Sequence, residues 1–575
     1  MILFKKIFCR FVFISFILAI SLTIGFILFK PIYLADSIMI PYSLHPYDIC
    51  IRYPDSWNKI KLYFILFYFL STIFCGNSIY SILYKNCISK KVKKNKKQSS
   101  TMSQNSNSIS LFVGKNESDN LVVIPEKSLY QNIFISGTIG SGKTSSCMYP
   151  FTKQLISYKS NSPDEKIGML ILDVKGNFYK EVLRFSNFSN RLDDVFVIEL
   201  GGKVFYNPLD KPNLKPSVIA NRLKTILTLF SPNNSESYWL DKVETVLTEA
   251  IKLCRLYNDG YVTFVELHKL VTMKDYFLDK LDVIKEQFTK GLLSKKDCYD
   301  ALSSIEFFEK ELFSLDQRTL SIIQSEITRI TNCFISDYDV LHTFCPKKEE
   351  INFKGFYDLI QNGKIVVLNM NISEYQNLSK IIATYLKLDF QTEVLNRLSS
   401  KTLTSTRSVA FICDEFHEYC TTTDADFFAQ SREAKCINIV ATQSYSSLLH
   451  SLKDEYAVKV ILQNMINKLW FRTDDSYTIE DIQKQIGKED KIKVSKSISE
   501  NAPKTHFHYL TNSFVSHDSG LSESINESIH NDFIYDSHFF TQELETFSCL
   551  SFLSDGYKIL KPMKLKLIPY FVNKF

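Results

Sequence analysis

With 575 residues and 45% hydrophobic side chains, the chain can bury several domain cores, which excludes an intrinsically disordered protein. Its net charge of +6 is mild for that length and by itself neither demands nor excludes a nucleic-acid partner. The 13 cysteines form no C-x-x-C pair and show no spacing suited to zinc or a disulfide framework, so a reducing compartment is expected for most of the chain, with Cys413 and Cys436 as small core residues.

In chain order, the first elements are two uncharged apolar runs, Phe11 to Phe29 and Leu62 to Tyr84, each long enough as a helix to cross a hydrocarbon core of ~30 Å. A cleaved signal peptide fits the first run poorly, because the run is too long and no A-x-A-like site follows it. Lys5, Lys6 and Arg10 precede the first run, and seven lysines between Lys85 and Lys97 follow the second, so both ends should face the cytoplasm. Residues 1–88 therefore read as a two-helix membrane anchor with a short external loop. Residues 89–110 read as a basic, Ser/Asn/Gln-rich tether. Its lysines suit a topology signal with affinity for anionic lipid better than a nucleic-acid contact.

Beyond the tether, short apolar, β-branched-rich runs alternate with helical patterns, the rhythm of an α/β domain with a mostly parallel sheet flanked by helices. Strands are predicted at 132–136, 169–173, 195–200, 365–369, 409–414, 437–442, 468–472 and 547–553. Between the third and fourth of these the spacing becomes helical, as in Val243, Val246, Ala250, Cys254 and again in Leu320, Ile323, Ile327, Ile330, Phe334. The nucleotide-binding domain is thus expected in two parts, 111–230 and 351–575, around an all-α insertion at 231–350. A polar stretch near 493–531 has no strong periodicity and reads as an exposed excursion.

The chemistry begins after the strand at 132–136, where Gly137-Thr138-Ile139-Gly140-Ser141-Gly142-Lys143-Thr144 satisfies G-x-x-x-x-G-K-[ST] between a strand and a helix. Glycines let successive backbone N–H groups turn toward phosphates, the helix presents its positive end, and Lys143 reaches the terminal phosphate oxygens of ATP. Thr144 offers a hydroxyl to Mg2+. A second metal ligand and a carboxylate for the attacking water are expected at the end of a neighbouring strand, and Asp414 and Glu415 supply them. Read without the loop, the same pair would serve as well for a helix cap. Gln443, at the tip of the 437–442 strand, is a candidate sensor of the γ-phosphate. Arg432 is a candidate finger for a neighbouring subunit's site or a surface arginine, and Arg472 is the second candidate for the finger.

The order of these motifs resembles the type IV coupling proteins, the TraG/TraD group of conjugative and type IV secretion ATPases. The likeness rests on the two apolar runs, the loop 137–144, Leu172-Asp173-Val174-Lys175-Gly176, the Asn207-Pro208-Leu209 turn, the helical insertion, the acidic strand ending D-E-F and the Gln443 strand. Asn467 to Asp475 and Phe547 to Gly556 extend it. The family's D-P-K-G-E is here Asp173-Val174-Lys175-Gly176-Asn177, so roles of its proline and glutamate do not carry over. The resemblance implies a RecA-like P-loop ATPase, a homo-hexamer at the bacterial cytoplasmic membrane. Such a motor would take DNA, as a single strand with attached relaxase, into a type IV secretion channel. Two other readings remain on the residues alone: a septal-type DNA segregation pump, which would normally carry a C-terminal winged helix, and a nucleotide-gated membrane scaffold, against which Glu415 argues. A cassette-type transporter lacks its L-S-G-G-Q-like signature here.

Overall fold

Fully apolar runs bury on both faces, and in this chain they assemble one large sheet. The computed structural model describes Leu70 and residues 108–572, apart from 230–236, 400–406, 501–504, 509–512 and 517–520. The chain divides into two compact units, Met1–Ser108 and Ile109–Phe575, and the second carries the sheet. The two apolar runs, except for Leu70, and the tether up to residue 107 lie outside the described residues. Among the described residues, no helix is long and apolar enough to cross a membrane.

The strands of the sheet are β1 (Ser110–Asn116), β2 (Leu121–Pro125), β3 (Ile133–Ser136), β4 (Gly168–Leu172), β5 (Val195–Ile198), β6 (Ile365–Leu368), β7 (Val409–Cys413), β8 (Cys436–Thr442) and β9 (Asn467–Trp470), joined late in the chain by β14 (Ser548–Phe552) and β15 (Met563–Lys566). The order across the sheet is β2-β1-β15-β14-β9-β3-β8-β7-β4-β6-β5. From β9 to β5 every pairing is parallel, and β14, β15, β1 and β2 extend the β9 edge antiparallel. All eight expected strands are present, with ends shifted by a residue or two. Strands β1, β2 and β15 were not expected: β2 is a short apolar run that stays mostly exposed, and β15 alternates apolar residues with lysines over only four positions.

Alternation along the strands sends side chains to two cores. Ile133, Ile135, Met169, Ile171 and Ile412 face the helices Tyr149–Ser157 and Phe178–Phe188 through Phe151, Leu155, Val182 and Phe185. Phe134, Leu170, Phe411 and Val440 point the other way, into a cluster with Leu223, Tyr385, Phe428 and Leu448. That second cluster continues without a break into the helical stretch that runs from Ser237–Tyr257 to Tyr338–Phe344. There Val243, Val246, Ala250, Cys254, Ile323, Ile327, Ile330 and Phe334 are buried, and Phe334 stacks on Phe264 at 3.9 Å. Asp316 caps the helix Gln317–Ile335, accepting from the N–H groups of Arg318 and Thr319.

The stretch near 493–531 is a correction to the sequence reading. It forms an antiparallel ribbon, β10 (Lys488–Glu500) with β13 (Leu521–Phe533), carrying a shorter pair, β11 (Thr505–His508) with β12 (Ser513–Ser516). Ile492, Val494 and Ile498 alternate with polar residues and fall on the face shared with Ile525 and Ile529, but all five stay exposed. Period two is present, whereas burial, the usual companion of such a pattern, is not.

The segment after β7 is held by a buried charge pair. Lys387, on the helix Ile372–Ser399, donates to Asp424, to the Tyr419 carbonyl at 2.7 Å and to Thr421 Oγ1 at 3.2 Å, and both charged side chains are fully buried. Removing one partner strands the other charge in the interior. Lys387→Met is therefore expected to cost about 3–5 kcal/mol, read as a lower urea midpoint with unchanged slope, while the joint change Lys387→Met with Asp424→Leu should recover most of that loss.

Candidate functional site

After β3 the chain turns through residues 137–142 into a helix that opens with a π turn, Thr144–Met148, and continues as Tyr149–Ser157. Two glycines are dictated by close approach. A Cβ on Gly137 would sit 2.5 Å from Phe471 Cβ, and one on Gly142, whose φ is 99°, would sit 2.5 Å from the Phe547 ring. Backbone bonds grip the loop from three sides: Gly137 N–H donates to the Gln443 carbonyl (3.2 Å), Thr138 N–H to the Arg472 carbonyl (2.8 Å), and Phe547 N–H to the Ser141 carbonyl (3.1 Å). Ile139 and Gly140 form the tip, with Ile139 exposed. The C-terminal segment also closes on the helix, where Tyr570 N–H donates to the Ser145 carbonyl and its ring lies 4.9 Å from Tyr149.

Lys143 is buried, and its ammonium donates to the carbonyls of Gly137 and Thr138. Burial holds its pKa below the ordinary lysine value, and the nearby Lys175 adds to that, against the pull of Glu415 and Asp414. Lys175 itself is exposed on the turn after β4. That turn is fixed by the buried Asp173, which accepts the N–H groups of Asn177 and Phe178.

Strands β3 and β7 are not neighbours, because β8 lies between them. Even so, Thr144 Oγ1 donates to Asp414 Oδ2 at 2.7 Å, joining positions 270 residues apart. Asp414 is fully buried, and burial, followed by the adjacent Glu415 charge, pushes its carboxyl up to about 6. Glu415 follows in a left-handed conformation (φ 50°, ψ 50°) that a side chain other than glycine seldom adopts. Its Oε2 is buried with no hydrogen-bond partner among the described residues and lies 3.7 Å from His417 Nδ1.

Gln443 stands half-buried at the carboxyl tip of β8, between the loop and the acidic strand. Arg432 is not brought to this site: it is exposed before the amino end of β8, at the far end of a seven-residue strand from Gln443. Arg472 is exposed beside Thr138, which donates to its carbonyl. Sequence reasoning missed His417 and the packing of Phe547 and Tyr570 against the loop, since none of the three belongs to a spaced motif.

Lys143, Thr144, Asp414 and Glu415 thus converge at the carboxyl ends of β3, β7 and β8, where open parallel sheets bind ligands. A hydroxyl beside carboxylates that repel one another, next to a buried lysine and a helix start, is a donor set suited to a divalent cation on a phosphate chain.

Residues 408–525 match the family model described as the TraM recognition site of TraD and TraG. The fold matches that of the bacterial conjugative coupling protein TrwBdeltaN70 in its unbound monoclinic form, at 12% identity and a TM-score of 0.50, covering 78% of this chain and 87% of that one. The chain is similar to the type IV coupling proteins. Plasmid coupling protein TrwB has the same score and identity in its complex with a non-hydrolysable ATP analogue, ADPNP, and in its complex with ADP and Mg2+, covering 77% and 78% of this chain and 87% of TrwB in each. No curated protein sequence matches the chain. The mostly parallel sheet flanked by helices, expected above from the alternation of apolar runs with helical patterns, is therefore shared with TrwB.

The raised Asp414 pKa carries a signed prediction. A carboxyl that titrates near 6 when folded and near 3.8 when unfolded binds its proton more tightly in the folded state, so its contribution to stability falls as pH rises between these values. Asp414→Asn keeps an acceptor for Thr144 and removes the buried charge. At pH 8 it should raise Tm by roughly 2 °C, with the gain shrinking as pH falls through this window and vanishing only below about pH 4, as followed by calorimetry.

Proposed function

We propose that the chain is a membrane-anchored ATPase that couples relaxase-bound DNA to a type IV secretion channel and drives the strand through it. The observation that carries this reading is the hydrogen bond from Thr144 to Asp414 across β8, which unites the P-loop with the acidic strand in a single pocket. In that pocket the N–H groups of the loop beyond Thr138 and the Lys143 ammonium would bind the phosphates of ATP, with Gly137 and Thr138 anchoring the loop to its neighbours, while Thr144 and Asp414 would hold Mg2+. The metal supplies positive charge to the phosphate oxygens. Glu415, with an unpartnered carboxylate oxygen, orients the attacking water, and Gln443 reads the terminal phosphate from the tip of β8. The complexes of TrwB with ADPNP and with ADP and Mg2+ support the same ligands here.

Residues 1–88 are proposed as the two-span anchor in the cytoplasmic membrane of a bacterium, 89–110 as its tether, 111–230 and 351–575 as the nucleotide domain, and 231–350 as the helical insertion that meets the substrate. The match to a TraM recognition region supports a partner in the DNA-processing machinery. The motor is proposed to act as a homo-hexamer. Arg432, exposed and remote from its own subunit's pocket, is proposed as a finger for a neighbouring subunit rather than a plain surface arginine, and Arg472, exposed at the loop, competes for that role.

Full-length protein in detergent should hydrolyse ATP, and added DNA should stimulate it. Lys143→Ala should lower turnover by at least ~100-fold, and Glu415→Gln should do the same while retaining ATP binding. Turnover in Lys143→Ala equal to that of the wild type would refute the site.

A further inference from the structure

A polar cavity of ≈ 600 Å³ adjoins the pocket at the carboxyl end of β8. It lies between the helix Ile372–Ser399, the 3-10 turn Phe416–Glu418 and the helix Tyr445–Leu452, and its lining includes Lys380, His417, Glu418, Ser444, Ser447 and His450. One wall of the cavity is also the far side of the catalytic centre. His417 Nδ1 is 3.1 Å from Thr442 Oγ1 and 3.7 Å from Glu415 Oε2, and His417 Nε2 is 3.5 Å from Glu418 Oε1. Glu418 in turn pairs with Lys380. A continuous chain of polar contacts therefore leads from Lys380 in the cavity to the carboxylate that faces the attacking water.

The unmet oxygen of Glu415 follows from this chain. When His417 Nε2 carries its proton toward Glu418, Nδ1 is an acceptor, takes the Thr442 hydroxyl, and has no proton to offer Glu415. The left-handed backbone at Glu415 holds the carboxylate in this place at a cost in strain, an arrangement suited to a group that must move. Closing the 3.7 Å gap to hydrogen-bond range takes about half an ångström.

We propose that the cavity takes a phosphodiester group of the transported strand and that His417, as a positioning residue, transmits its occupancy to Glu415. This rests on the ATPase reading above and adds the means by which substrate governs that site. Serine hydroxyls around one ammonium, Lys380, without a base-shaped slot, suit the sequence-independent backbone contact that a translocating protein needs. An anionic oxygen drawn to Lys380 competes with Glu418, which then relies on His417 alone, and the imidazole turns with it toward a new alignment of Glu415.

The test uses the full chain in detergent, ATP turnover as readout and an oligothymidylate as probe. His417→Ala should lower kcat about tenfold with the KM for ATP within about twofold, and should abolish stimulation by the oligothymidylate. His417→Asn, which keeps a polar group near Nδ1 but has nothing at Nε2, should recover most of the unstimulated kcat and still fail to respond. Lys380→Ala should raise the oligothymidylate concentration for half-maximal stimulation at least about fivefold. A merely structural histidine would lose the two properties together in both variants, and that result would overturn the proposal. Wild-type kcat and stimulation in His417→Ala would overturn it while leaving the ATPase reading intact. Absence of turnover in the wild-type chain would overturn both.

Discussion

The Thr144–Asp414 hydrogen bond is the constraint on which the rest of the molecule depends. Its two residues follow strands separated by β8, a gap of about 10 Å at ordinary strand spacing, so the loop after β3 must arch back over the sheet edge to make it. That arch is stiffened from outside, by Phe471 and Arg472 after β9 and by Phe547 before β14. The antiparallel strands beyond β9 add to this clamp through Phe547 before β14 and Tyr570 after β15, which hold the loop and the start of its helix.

Register is the second requirement, because a slip by one residue would send each strand's side chains to the wrong core. A buried polar network fixes it at the opposite end of the sheet. Asn438 on β8 donates to Asn132 at 2.7 Å, and Asn132 donates to the carbonyls of Phe428 and Asn464. On β9, Asn467 donates to the Ser128 and Asn132 carbonyls and accepts from Ser128. Such a network is favourable only when its members are satisfied, and together they specify a single pairing of β3 with β8 and β9. The chain on either side of the helical insertion is joined by similar means, since Asp389, fully buried on the helix Ile372–Ser399, bonds both Lys211 and Arg222 and meets the Tyr206 hydroxyl below the Asn207-Pro208-Leu209 turn.

Much of this was legible in the sequence, and the reasons are physical. The strands that bury both faces announced themselves as unbroken apolar runs, and the P-loop announced itself because its glycines and lysine must stand at fixed spacing. Glu415 was readable as a candidate catalytic carboxylate through its neighbour Asp414, but its left-handed backbone was not. The ribbon of β10 and β13 escaped because its alternation has no buried face to strengthen it. Lys380 and the pairs Lys387–Asp424 and Arg222–Asp389 escaped because their partners are distant in sequence, and long-range polar pairing leaves no local pattern; His417 escaped because its contacts with Glu415 and Glu418 depend on the left-handed turn at Glu415. Arg432, read as a finger for a neighbouring subunit or as a surface arginine, stands exposed before the amino end of β8, a position compatible with either reading.

The most direct measurement of the central claim is a double-mutant cycle between Thr144→Val and Asp414→Asn, with the Mg2+-dependent gain in ATP affinity as readout. If the two side chains hold one cation, each substitution alone removes most of that gain and the double variant loses little more, a coupling of about 1–3 kcal/mol. Additive losses, with each residue acting independently, would contradict the account.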